Sequence, residues 1–162
     1  MPRNLTVFLP MDTEAAASAI CGDPQWWLPP PAAAVPGGWI VSLQAVRVAH
    51  SVVCRVGPSP AASPAGLWRS LSWEPSDGTG RVRSVDRLLP RFDGEVGIVQ
   101  TPGTTLILSG CYEPPGAVVG SLVNRAGLER VAESTARRFV AEIAKRLGAG
   151  ETADRETPLA LR

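Results

Sequence analysis

The sequence predicts an α+β domain in which a curved antiparallel sheet wraps around one long C-terminal helix. Three observations carry this expectation. From Leu128 onward the apolar positions Val131, Ala132, Thr135, Phe139, Ile143 and Leu147 recur at steps of three and four, the spacing of one helix face. The chain upstream reads mostly as short β-rich runs divided by Gly, Pro, Ser and Asp. A helix from about Ala117 to Leu147 would span roughly 45 Å at ~1.5 Å per residue. Such a helix needs a broad apolar surface to lie on, and a sheet bent around it leaves room for a cavity between the layers.

The elements follow in order. Residues 5–9 form a first strand closed by Pro10. Asp12 or Thr13 can cap a short helix that runs through Ile20 and ends at Gly22. Pro24 to Leu28 read as a single helical turn, with Asp23 as its cap and Pro24 at the first helical position. Residues 29–38 are a Pro/Ala/Gly connector, and 39–48 and 50–56 are two antiparallel strands. Residues 57–66 are a mobile loop by composition.

Residues 67–74 and 81–89 flank Asp77-Gly78, a strong hairpin-turn dipeptide. Symmetric pairing sets Leu67 against Leu88, Arg69 against Asp86, Leu71 against Ser84 and Trp73 against Val82. This is the more apolar face, so it is assigned inward. A last hairpin, 95–100 with 104–112, turns at Pro102-Gly103, and which face of 104–112 points inward stays open. On the final helix, Glu133–Arg137 and Glu142–Arg146 are set as i,i+4 pairs on a solvated face.

Composition bounds the function. At 162 residues, with 44% hydrophobic and 19% charged content, residues 1–147 fit one domain and 148–162 a flexible tail. No run approaches the ~20 apolar residues of a membrane span, and no signal peptide is evident, so a cytoplasmic protein without a transmembrane segment is expected. A net charge of +1 gives no global drive toward nucleic acid or an anionic membrane. Cys21, Cys54 and Cys111 are odd in number and form no CxxC, so neither a disulfide framework nor a metal site is expected. Lys145 is the only lysine against many arginines, a skew that fits a GC-rich bacterial genome.

Residues 88–120 contain a strand leading into Gly110-Cys111-Tyr112-Glu113-Pro114-Pro115-Gly116 and on to Gly120, and residues 128–139 continue into the final helix. With the N-terminal helix and Gln25-Trp26-Trp27-Leu28-Pro29, this order resembles the helix-grip fold of the START/Bet v 1-like (SRPBCC) superfamily. The specific part of the likeness is confined to 88–139. The resemblance implies a hydrophobic cavity between sheet and helix and a small hydrophobic or aromatic ligand, lipid- or polyketide-like. That superfamily shares no catalytic motif, so no catalytic residue is carried over.

Several residues are site candidates. Arg69 could hold a ligand carboxylate, phenolate or enolate with Asp86 as orienter or base, or the two could form a structural salt bridge. His50, the only histidine, is a candidate proton carrier, or an ordinary strand residue. Trp26 and Trp27 would frame a cavity mouth, Trp73 and Phe139 would supply apolar wall, and Tyr112 could point its hydroxyl inward or cap the hinge. Gly116 and Gly120 lack a P-loop lysine and Rossmann spacing, so no nucleotide cofactor, and no cofactor of other kinds, is expected. Arg81, Arg83 and Arg87 make a basic stripe on the outer sheet face, read as solvated rather than as a nucleic-acid footprint.

Three functions stand together: a carrier of a small hydrophobic or aromatic molecule, monomer or homodimer; a polyketide cyclase/dehydratase-like enzyme using His50 or Asp86; and a closed-core protein-interaction module. Whether the chain is an enzyme stays open at this stage.

Overall fold

The computed structural model describes residues 3–12, 16–45, 47–59, 63, 65–76, 89–100, 102–113 and 125–155. Among them seven strands form one antiparallel sheet: β1 (Arg3–Met11), β2 (Pro31–Val35), β3 (Gly38–Ala45), β4 (Val48–Val56), β5 (Leu67–Pro75), β6 (Arg91–Gln100) and β7 (Thr104–Glu113). Their order across the sheet is β1-β7-β6-β5-β4-β3-β2. The short helix α1 (Ala16–Cys21) and a 3-10 turn (Pro24–Trp26) lie between β1 and β2, and the long helix α2 (Arg125–Arg155) follows β7. This is the helix-grip arrangement expected from the sequence.

Alternation within each strand fixes the face that meets α2. β3 buries Val41, Leu43 and Ala45; β4 buries His50, Val52 and Cys54; β5 buries Arg69, Leu71 and Trp73; β7 buries Thr104, Leu106, Leu108 and Tyr112. From the other layer α2 buries Ala132, Thr135, Ala136, Phe139, Val140, Ile143 and Leu147. The inward face assigned to residues 67–73 is the observed one. Asp23 caps the 3-10 turn as expected, its Oδ1 accepting from the Gln25 N–H at 3.0 Å.

Four expectations need correction. Pro10 does not close β1 but sits inside it opposite Thr105, which an edge strand tolerates because its outer side needs no donor. The connector 29–38 contains β2, an edge strand paired with β3 and broken by a register shift between Pro31 and Ala33. β5 does not form a hairpin with 81–89. Its two sides go to β6, from Leu67↔Ile98 to Trp73↔Phe92, and to β4, from Val56↔Leu71 to Val52↔Pro75. β6 supplies Phe92, Val96 and Ile98 to the inner face, whereas 81–89 carries Arg81, Arg83, Asp86 and Arg87, so tertiary burial overrides the local turn signal.

The open face of 104–112 is settled as well. β6 and β7 meet with Gln100 opposite Thr104, one residue more in the connection than a two-residue turn, with Gly103 at φ 94. Ile98 therefore faces Leu106 and Val96 faces Leu108, all inward. Finally, α2 continues past Leu147 through Gly148 to Arg155, so the first part of the expected tail is helical. A glycine costs only about 1 kcal/mol in a helix interior, and an established helix propagates through it. Asp77, Gly78 and the basic stripe Arg81, Arg83 and Arg87 lie outside the described residues, as do Gly116 and Gly120.

Candidate functional site

β2 covers β3 only from Gly38 to Val41. Beyond that point the Ser42 N–H donates to Pro30 O at 3.2 Å. In an antiparallel ladder alternate residues present both backbone groups to the same side, so Gln44 turns its N–H and C=O toward the side that β2 has left. The middle of α2 passes this opening. Between them lies a cleft of about 550 Å³, lined by Pro29, Pro30, Ser42, Leu43, Gln44, Arg138, Phe139, Ala141, Glu142 and Lys145. Leu43, Phe139 and the two prolines make an apolar floor, and Arg138, Glu142 and Lys145 make a charged rim. Volume and lining suit a small amphipathic molecule. His50 stands opposite Leu43 in the β3–β4 ladder and is buried, one strand behind the cleft wall.

Arg69 is only 6% exposed, yet it serves the backbone. Its Nη1 donates to Ile20 O at 2.9 Å and Gly22 O at 2.8 Å, while Nε and Nη2 both reach Gly57 O, at 3.0 and 2.7 Å. The guanidinium thus satisfies the terminal carbonyls of α1, which have no partner in their own helix, and ties them to the end of β4. Its carbon lies 5.7 Å from the centre of the Trp27 ring, a cation–π distance. Burial lowers the Arg69 pKa from its ordinary value, while Cys21 and Asp23 nearby act in the opposite sense. Asp86 lies outside the described residues. The observed register partner of Arg69 on β6 is Val96.

The other candidates divide into two groups. Trp73, Phe92 and Tyr112 are successive cross-strand neighbours on β5, β6 and β7. Trp73 stacks on Phe92 with centroids 4.4 Å apart, meets Phe139 of α2 at 5.0 Å, and donates its indole N–H to Pro90 O at 3.1 Å. Tyr112 is buried in the same layer. Phe92, absent from the sequence candidates, lies flat because Gly94 and Gly110 face each other beside it: a Cβ on either would come within 2.9 Å of its ring and 2.6 Å of the opposing Cα. That glycine pair was the legible signal for it. Trp26 and Trp27 part company. Trp27 is 1% exposed, and among the described residues its indole nitrogen has no hydrogen-bond partner; Trp26 is 70% exposed. Among the described candidates, Phe139 alone lines the cleft.

Elsewhere the chemistry is structural. Cys54 is buried, and desolvation pushes its thiol up to about 12. Arg55 pairs with Glu74 at 2.5 Å on the outer sheet face, and Arg3 pairs with Glu129. Among the described residues no group of three or more His, Cys, Asp or Glu is placed to hold a metal, and no helix is long and apolar enough to cross a membrane.

No protein-family model and no curated protein matches the chain. Solved structures do. A conserved protein from Geobacillus kaustophilus matches with a TM-score of 0.50 at 15% identity over 93% of this chain and 97% of its own. Ara h 8.0201 matches at 0.48 and 13% identity, over 92% and 99% of the two chains. A third match, a protein from Thermus thermophilus, has a TM-score of 0.39 and 16% identity, over 93% and 99%. At such identity the likeness is one of fold alone. The chain is a helix-grip protein with an apolar cleft at its sheet edge.

Proposed function

We propose that this protein binds or carries a small hydrophobic or aromatic molecule, in the cleft between the open edge of β3 and the middle of α2. The observation that carries the reading is the cleft itself: about 550 Å³ over an apolar floor of Leu43, Phe139, Pro29 and Pro30. Burying a ligand there supplies roughly 25 cal/mol per Å² of apolar surface removed from water. The backbone of Gln44 offers one donor and one acceptor to orient the ligand, and the rim suits a polar end that stays in water. Phe139 is the one aromatic side chain expected to touch the ligand, with Trp73 and Phe92 stiffening it from behind.

Native mass spectrometry of freshly purified protein, beside the denatured sample, tests this. A reproducible small-molecule adduct that disappears on denaturation supports the reading and gives the ligand's class. A bare mass, together with unchanged melting temperature across a panel of hydrophobic and aromatic acids, would contradict it.

A further inference from the structure

The net charge of +1 conceals an uneven distribution along α2. Arg130, Ser134, Arg137, Arg138, Ala141 and Lys145 are all exposed and share one side of the helix, which reaches the cleft at Arg138, Ala141 and Lys145. Four of these six are cations, set along roughly 22 Å of helix at ~1.5 Å per residue. Of the three acids of this helix whose side chains are described, Glu129 pairs with Arg3 and Glu133 with Arg137 at 2.7 Å, while Glu142 stands on the cleft rim between Arg138 and Lys145. Among the described residues no ion pair engages Arg130, Arg138 or Lys145. Arg138 and Lys145 are also the rim of the cleft, so the basic face and the apolar opening are continuous.

A second observation lies at the same end of the molecule. Trp26, the most exposed large hydrophobic residue described, ends the 3-10 turn, and the chain continues through Trp27 and Leu28 into Pro29 and Pro30 of the cleft wall. Arg146 of α2 donates to Gln25 O at 3.3 Å and holds this turn against the helix. An exposed indole next in sequence to the Gln25 that Arg146 holds, with cations and an apolar opening on the same helix, matches a surface that is anionic outside and apolar within. A nucleic acid would meet the cations but offer nothing to the opening or, when paired, to the indole.

We propose that this face, from Arg130 to Lys145 with Trp26 at its end, docks on an anionic phospholipid surface with the cleft opening against the lipid. The proposal does not depend on the cleft taking a ligand, which a melting-temperature shift in vesicle-free buffer reads separately.

The test is co-sedimentation of the full chain with phosphatidylglycerol vesicles and with phosphatidylcholine vesicles at low ionic strength. Binding is expected to phosphatidylglycerol alone and should be lost as salt screens the contact. Replacing Arg130, Arg138 and Lys145 together by Gln should weaken it by about a hundredfold, at about fivefold per cation near an anionic surface. Trp26→Ala should weaken it by about tenfold. Gln is a good helix former at exposed positions, and an unchanged melting temperature shows that these variants fold. No binding to either vesicle, equal binding to both, or binding that survives the triple replacement would overturn the proposal. So would retention of a DNA duplex by the same three side chains without vesicle binding.

Discussion

Arg69 illustrates how far a single residue can be read. Strand alternation places it inward, and it is inward. Its partners, however, are backbone oxygens of residues 49 and 47 positions away, on α1 and the turn after it, together with Gly57 O. No pattern in the sequence shows which carbonyls a folded helix end will leave unsatisfied. The geometry makes Arg69 a clamp between α1 and the sheet. Arg69→Met is therefore expected to lower stability by about 3 kcal/mol in urea denaturation, since it strands buried carbonyls, and Arg69→Lys should recover little of it. A variant that kept full stability and lost only ligand affinity would return Arg69 to a ligand-anchoring role.

Cys54 gives a second residue-scale test. Its thiol is held up to about 12 from an ordinary 9.0 by burial. The folded state thus favours the protonated form, and the sign follows. The contribution is complete below about pH 9 and is lost as pH rises toward about 12, with a slope of about 1.4 kcal/mol per pH unit. Stability measured across that window should fall less steeply in Cys54→Ala than in the natural protein. The same burial should leave Cys54 unreactive to thiol reagents while exposed Cys111 reacts readily.

At the scale of elements, legibility follows the range of the signal. The apolar period of α2 and the β-rich runs that become β3 and β4 are local signals, and the elements they announce are present. The pairing of β5 is not local. Asp77-Gly78 is a sound turn signal, but the inner face of β5 finds a better apolar partner in β6 than in a stretch bearing four charged residues. The faces of β6 and β7 turned on a single residue in their connection, which composition does not determine. The Gly94–Gly110 pair shows what the correct register protects. Gly110→Ala is expected to destabilise by about 1–3 kcal/mol, because the new methyl meets the Gly94 Cα and the Phe92 ring. Phe139→Ala should cost about 3–5 kcal/mol and change the environment of Trp73, visible in near-ultraviolet circular dichroism. An unchanged near-ultraviolet spectrum would remove Phe139 from the aromatic layer.

For the whole molecule, the helix-grip architecture was legible because it needs only the order of elements and one long amphipathic helix. The cleft was not. It arises where β2 ends short of β3, and that depends on a register shift between Pro31 and Ala33 that no periodicity reveals. Sequence reasoning accordingly pointed to conspicuous residues, the tryptophans, the lone histidine and the inward arginine, whereas the cleft is lined chiefly by Leu43, Gln44, two prolines and the flank of α2. The aromatic candidates Trp73 and Phe139 meet in the core, where Trp73 also stacks on Phe92, and the opening lies at the sheet edge.

The most direct measurement is the binding of a fluorescent hydrophobic probe such as anilinonaphthalene sulfonate to the natural protein and to Ala141→Trp. Ala141 is exposed and lines the cleft without entering the core, so an indole there fills the opening and leaves the fold intact. Saturable probe binding in the natural protein, lost by at least tenfold in Ala141→Trp at an unchanged melting temperature, is the predicted result. Equal probe binding by the two proteins would place the ligand elsewhere and contradict a functional site between β3 and α2.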